Sequence, residues 1–150
     1  MRLLLLLFTG CLCSLFFSPK AMGYKNKELD SLATSLKKHP EKDTTYLNTL
    51  IALARKVRQE DFGQSEKYFE EAIELSKKLS DHPRLIKSLN GIGITYGMQD
   101  KYAEAIRHFN ESVKLSVKYR YPDHEETSYS SLGIVYKRMG DYPSSLMSFC

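Results

Sequence analysis

Laid against itself at an offset of 40 residues, the sequence meets its own pattern. Ser88, Gly93, Ile94, Tyr96, Tyr102 and Phe109 fall on identical residues at Ser128, Gly133, Ile134, Tyr136, Tyr142 and Phe149. The preceding segment repeats likewise, with Phe69, Glu71, Leu75, Ser76 and Lys78 falling on Phe109, Glu111, Leu115, Ser116 and Lys118. A unit this short cannot enclose a core of its own. It must bury its apolar face against neighbouring copies, which confines the chain to a stacked array.

Within the unit, apolar residues recur at intervals of three and four and never in sustained alternation, so the array is all-α. Leu29, Leu32, Ala33 and Leu36 form a first stripe, closed by His39-Pro40. Leu47, Leu50, Leu53, Ala54 and Val57 give a helix over residues 45–59, and Phe69, Ala72, Ile73 and Leu75 one over 65–79. Further helices are expected at 84–99, 102–119, 125–139 and from 143 onward. Breaks fall at Glu60-Asp61-Phe62-Gly63, Ser80-Asp81-His82-Pro83, Tyr121-Pro122-Asp123 and Gly140-Asp141. Connections this short make neighbouring helices antiparallel.

The run Asn90-Gly91-Ile92-Gly93-Ile94-Thr95-Tyr96-Gly97 invites a phosphate-loop reading. A dinucleotide fingerprint needs a preceding strand and a later acidic residue, and a Walker loop needs Lys-Ser/Thr after its last glycine; neither context is present. Gly91 and Gly93 lie instead within the helical stripe of Leu89, Ile92 and Tyr96, and the next copy, Ser131-Leu132-Gly133, keeps one glycine only. The retained glycine is read as a place of close helix approach, filled from across by Ala105 and Phe109, despite costing roughly 1 kcal/mol against alanine in a helix.

Ile92-Gly93-x-x-Tyr96 followed by Tyr102, Ala105 and Phe109 resembles the tetratricopeptide repeat. Leu132-Gly133-x-x-Tyr136, Tyr142 and Phe149 repeat the pattern with Ser145 in place of the alanine, and Leu53-Ala54-x-x-Val57 with Phe69 and Ala72 is a degenerate earlier copy. The resemblance implies a right-handed superhelical solenoid of antiparallel helix pairs. Its divisions would be a capping helix and linker at 24–44, a degenerate repeat at 45–83, a repeat at 84–122 and a truncated repeat at 123–150. The period exceeds the family's usual roughly 34 residues, which places six extra residues in the helices and the loop between copies. The long period, the stretch Asp-Thr-Thr-Tyr-Leu-Asn-Thr-Leu-Ile-Ala-Leu-Ala at 43–54 and the N-terminus resemble one subgroup in particular. These are bacterial envelope proteins whose repeats precede a membrane helix and a cytoplasmic histidine kinase or DNA-binding regulator.

The N-terminus reads as an address. Met1-Arg2 is a minimal basic region, and Leu3 to Phe17 is an almost unbroken apolar run, long for a signal-peptide core and short for a membrane span. Ala21-Met22-Gly23 places cleavage before Tyr24, giving a signal peptide at 1–23 and a periplasmic or envelope location. Phe8-Thr9-Gly10-Cys11 resembles a lipobox and supplies the competing reading, lipidation at Cys11; an uncleaved anchor is the third. Removal of Arg2 and Lys20 lowers the formal net charge from +4 to +2, which is not a nucleic-acid-binding balance. Of the three cysteines only Cys150 stays in the mature chain, so no intramolecular disulfide forms. The last apolar stripe, Leu146 and Phe149, stops uncapped, and a fragment or truncated version of a longer protein is the expectation.

No catalytic, metal or cofactor constellation stands out. His39, His82, His108 and His124 lack ligand spacing with one another and read as solvated surface residues. Glu70-Glu71 and Glu125-Glu126 diverge around their helices, and no Gly-x-Ser-x-Gly, Ser-x-x-Lys or Cys-His context is present. Tyr96, Tyr102, Tyr136 and Tyr142 read as packing residues.

The resemblance implies a non-catalytic scaffold whose partner, a protein or peptide, lies along the concave face lined by the first helix of each repeat. Carried over position by position, that face takes Asn48, Arg55, Arg58 and Gln59 from the first copy and Lys87, Asn90, Ile94 and Met98 from the second. The third contributes Thr127, Ser130, Ile134, Lys137 and Arg138. Five are basic and none acidic, which fits either a solubilised surface or a groove for an acidic segment or peptide carboxylate. A membrane would be met only through the signal, a lipid or a downstream anchor.

Overall fold

The computed structural model describes residues 27–38 and 41–140. Among them are six helices and no strand: α1 Lys27–Lys38, α2 Thr44–Val57, α3 Phe62–Lys78, α4 His82–Met98, α5 Tyr102–Tyr119 and α6 Pro122–Arg138. The expected signal segment, Cys11, His39, Tyr142, Ser145, Leu146, Phe149 and Cys150, with the helix from 143 onward, lie outside the described residues.

Each helix packs on the next, and α2 also meets α4 as α4 meets α6. Among the described residues no such backbone approach joins α3 to α5, so the solenoid closes on the α2/α4/α6 side. That makes the first helices of successive repeats the inner layer.

Three helices begin earlier than their apolar stripes suggest, because their first turns are polar or contain Pro and Gly. The Asp61 carboxylate accepts the Gln64 N–H at 2.9 Å and opens α3 at Phe62, while Asp81 accepts from Arg84 N–H at 3.2 Å and opens α4 at His82. Pro83 and Pro122 sit in first turns, where a missing N–H costs nothing, so they start helices rather than interrupt them.

The turns are short and alike. Ser80, Asp100 and Arg120 adopt left-handed φ values of 53°, 59° and 59°, and the residue after each returns a backbone N–H to a carbonyl five residues back. Those bonds are Asp81 to Ser76, Lys101 to Tyr96 and Tyr121 to Ser116, at 2.9, 3.0 and 2.9 Å, and each donor residue already caps the next helix. With turns this tight, the long period is accommodated by helices of 17 and 18 residues in α4 and α5 rather than by a longer loop, which corrects the sequence expectation.

The core is continuous along the stack. Leu47, Leu50, Ile51 and Ala54 of α2 meet Phe69, Ala72, Ile73 and Leu75 of α3 and Leu85, Leu89 and Ile92 of α4. Ala105 and Phe109 of α5 meet Leu132 and Val135 of α6, and Tyr96 packs against both groups. The glycines of α4 make this possible. A Cβ on Gly93 would stand 2.7 Å from the Phe109 ring, and one on Gly91 would overlap the ring of Phe69. Gly93 therefore admits the aromatic of its own repeat and Gly91 that of the repeat before.

The histidines are not uniformly surface residues. His82 stacks on Tyr119 with ring centroids 3.6 Å apart, His124 is half-buried, and His108 is 7% exposed, stacked on Tyr96 at 5.5 Å. His108 shares the buried face of α5 with Ala105, Ser112 and Ser116, a spacing of three and four that the sequence displays. The Arg107 guanidinium has donors only, so it donates across its 2.9 Å contact to His108 Nε2. The ring proton must then sit on Nδ1, which has no partner. Burial, with the Arg107 charge adding to it, lowers the His108 pKa from 6.5 to about 4.

The consequence is a pH-dependent stability with a defined sign. The folded state holds His108 neutral while the unfolded chain takes up a proton below its ordinary pKa. Stability is therefore full above pH 6.5 and falls as pH drops toward 4, by up to about 3 kcal/mol. Denaturant unfolding of the protein and of His108→Phe across this range is expected to give a steeper fall for the native sequence; parallel curves would show that His108 is not the source.

Candidate functional site

The inner faces of α2, α4 and α6 carry two adjoining concavities. The first, about 320 Å³, is lined by Arg55, Arg58, Lys87, Asn90, Gly91, Ile94, His124 and Thr127. The second, about 220 Å³, is lined by Ile94, Gly97, Met98, Phe109, Ser131, Ile134, Val135 and Arg138. Ile94 belongs to both, so the two form one groove running across the stack.

Their chemistry differs. Three cations point into the first half, and no carboxylate lines it. Among the described residues none forms an ion pair with Arg55, Arg58 or Lys87. The Arg58 guanidinium lies over the Phe69 ring at 5.6 Å, its Nε is buried without a partner, and burial together with the neighbouring Arg55 charge lowers its pKa. Asn90 is 5% exposed; its Nδ2 donates to Ser128 Oγ at 2.9 Å while its Oδ1 has no partner. Ser128 in turn meets Ser112 at 2.8 Å, tying α4, α5 and α6 together directly beneath the groove. A site of clustered cations without a carboxylate is prepared for an anion.

In the second half three of the exposed side chains are apolar: Ile94, Met98 and Ile134 are 37%, 45% and 54% exposed. Arg138 borders them and donates to the Gly97 carbonyl at 3.2 Å. Single exposed aliphatic residues need no explanation, whereas three on one concave wall do.

Of the residues expected from sequence, Arg55, Arg58, Lys87, Asn90, Ile94 and Thr127 come together in the first half, and Ile94, Met98, Ile134 and Arg138 in the second. Asn48, Gln59, Ser130 and Lys137 line neither. Asn48 is committed to Arg84, whose Nε donates to its Oδ1 at 2.7 Å. Gly91, His124, Gly97, Phe109, Ser131 and Val135 were not among the residues chosen from sequence. On α6 the signal was available, since His124, Thr127, Ser131, Ile134 and Arg138 follow one stripe of three and four, one residue away from the chosen Ser130 and Lys137. Among the described residues no cluster of metal-ligating side chains occurs, and no helix is long and apolar enough to cross a membrane.

Stacked antiparallel helix pairs around an open inner groove define a helical-repeat scaffold. The tetratricopeptide repeat family model matches residues 41–116, just over half of the sequence, and the chain belongs to that family. The fold is similar to that of BtubC (BKLC) from P. vanneervenii, with a TM-score of 0.75 and 20% identity over 82% of this chain and 53% of that one; this chain thus spans about half its length. It is also similar to the TPR domain of Arabidopsis FLU, with a TM-score of 0.58 and 20% identity over 83% of this chain and 90% of that one. No curated protein sequence matches significantly. Tetratricopeptide domains are generally non-catalytic scaffolds that bind proteins or peptides.

Proposed function

We propose that this chain binds an acidic segment of a partner protein along the α2/α4/α6 groove, as the exported input module of a longer bacterial signalling protein. The observation that carries the binding reading is the cation set Arg55, Arg58 and Lys87, which faces a concavity without a carboxylate of its own. An acidic side chain or terminal carboxylate entering there would supply the missing counter-charge. The test is charge reversal: Arg55→Glu with Arg58→Glu is expected to abolish binding of a glutamate-rich peptide at low salt.

Export is supported by the basic start, the apolar run from Leu3 to Phe17 and the Ala21-Met22-Gly23 cleavage pattern. The lipobox-like Phe8-Thr9-Gly10-Cys11 favours a second reading, a free-standing periplasmic or lipid-anchored adaptor. An immunoblot of fractionated cells with an antibody to residues 46–140 separates the two. A band much larger than 17.3 kDa in the inner membrane is expected for the input module, whereas a band of that size in the periplasm or lipid fraction would replace it with the adaptor.

A further inference from the structure

We propose that the apolar concavity between α4 and α6 binds a small amphipathic carboxylic acid free in solution, its aryl or alkyl end inside and its carboxylate on Arg138. The inference is independent of the acidic-segment reading, because none of Arg55, Arg58 and Lys87 lines this half. It begins from an irregularity of the repeat. The aromatic residue of a second helix has two seats to choose from, one on its own repeat and one on the next. For Phe69 the seat on its own repeat, 40 residues before Gly93, holds Leu53, and the ring fills the space left by Gly91 of the next copy. Phe109 takes Gly93 of its own repeat, while the next copy carries Ser131 at the place of Gly91. A ring seated there as Phe69 is on Gly91 would overlap the Ser131 Cβ. The α4/α6 junction therefore lacks the aromatic plug of the α2/α4 junction, and a cavity of about 220 Å³ opens between Phe109 and Ser131.

Its walls are Ile94, Met98, Ile134 and Val135. An apolar cavity of about 150 Å³ holds a benzene-sized molecule, so the space here takes one ring with a short tether, or an alkyl chain of similar bulk. The few polar groups of the lining are already committed. Ser131 Oγ donates to the Thr127 carbonyl at 2.9 Å, and the Gly97 carbonyl accepts from Arg138 Nη1 at 3.2 Å. A peptide would bring backbone N–H and C=O groups that find no partner in such a lining, whereas a simple acid brings one polar end only. That end has its counter-charge at the rim. The bond to Gly97 positions the Arg138 guanidinium, its remaining N–H donors have no partner among the described residues, and no carboxylate lines the pocket. A ligand seated there would bridge α4 to α6 and stabilise the junction that the repeat leaves unplugged.

Calorimetric titration with 4-phenylbutyrate at physiological salt, where the more distant charges are screened, tests the pocket. Binding is expected, weaker by roughly tenfold for butyrate, which lacks the ring, and for 4-phenylbutanol, which lacks the charge. Arg138→Gln should bring the acid and the alcohol to equal affinity. Met98→Asn with Ile134→Asn, both at exposed positions, should abolish the binding of either. Arg55→Glu with Lys87→Glu alters only the cationic half and is expected to leave the affinity for 4-phenylbutyrate within about twofold of native. Loss of binding in that variant, or its persistence in Met98→Asn with Ile134→Asn, would place the acid elsewhere and overturn the proposal. Failure of both 4-phenylbutyrate and hexanoate to bind the native protein would overturn it directly. N-acetyl-phenylalanine amide binding as tightly as the acid would assign the pocket to a peptide side chain, and self-association abolished by Met98→Asn with Ile134→Asn would assign it to a second copy of this chain; either result would also overturn it.

Discussion

Phe69→Ala is expected to cost about 3–5 kcal/mol of stability, a large part of what holds a domain of this size together. The ring is fully buried, and it is shared between repeats: it fills the space left by Gly91 of α4 and carries on its face, at 5.6 Å, the guanidinium of Arg58, the residue that caps α2. Its removal would open a cavity between two copies, where a solenoid has no other layer to collapse inward. Phe69→Leu keeps part of the volume but not the flat face against Gly91, so an intermediate loss is expected. Guanidinium unfolding at pH 7 measures both. A Phe69→Ala cost below about 1 kcal/mol would mean that the α2/α3/α4 junction does not depend on this contact.

The glycine–aromatic pairing also shows how much of the fold the sequence carried. The 40-residue offset exposed Gly93, Gly133, Phe69, Phe109 and Phe149, and Gly93 does receive Phe109 as its spacing suggests. Gly91 was harder to place, because its partner Phe69 belongs to the preceding copy and the third copy has Ser131 there. Hydrophobic periodicity also could not see the polar part of the core. Ser65, Ser76, Ser88, Thr95, Ser112, Ser116 and Ser128 are all buried. Most solve the desolvation problem locally: Ser76, Ser88, Thr95, Ser116 and Ser128 donate to the carbonyl four residues back, at 2.7 to 3.0 Å. A hydroxyl satisfied by its own helix can occupy a core position while scoring as polar in any pattern.

The groove was legible to the extent that helix geometry fixes which residues share a face. Arg55, Arg58, Lys87, Asn90, Ile94 and Thr127 converge because their helices stack in register, and the family pattern supplied that register. On α6 it took Ser130 and Lys137, one position off the stripe that lines the groove, while Thr127, Ile134 and Arg138 do line it.

Charge in the groove produces the second large effect. Arg55→Glu with Arg58→Glu removes two cations and adds two anions where an acidic segment would sit, and each lost charge-assisted contact is worth about 1.5–3 kcal/mol. A fall in affinity of about 100-fold or more follows. Because Arg58 is half-buried over Phe69, the double change also tests folding, so Arg55→Glu with Lys87→Glu, both exposed, gives an independent reversal.

The most direct measurement is a calorimetric titration of a glutamate-rich peptide into the native protein and both reversed variants at low salt, repeated at higher ionic strength. The account predicts measurable binding to the native protein that weakens with salt, and no detectable binding to either variant. Equal affinity for native and reversed proteins at low salt would contradict it, and would leave the basic residues of the inner face as solubilising charges only.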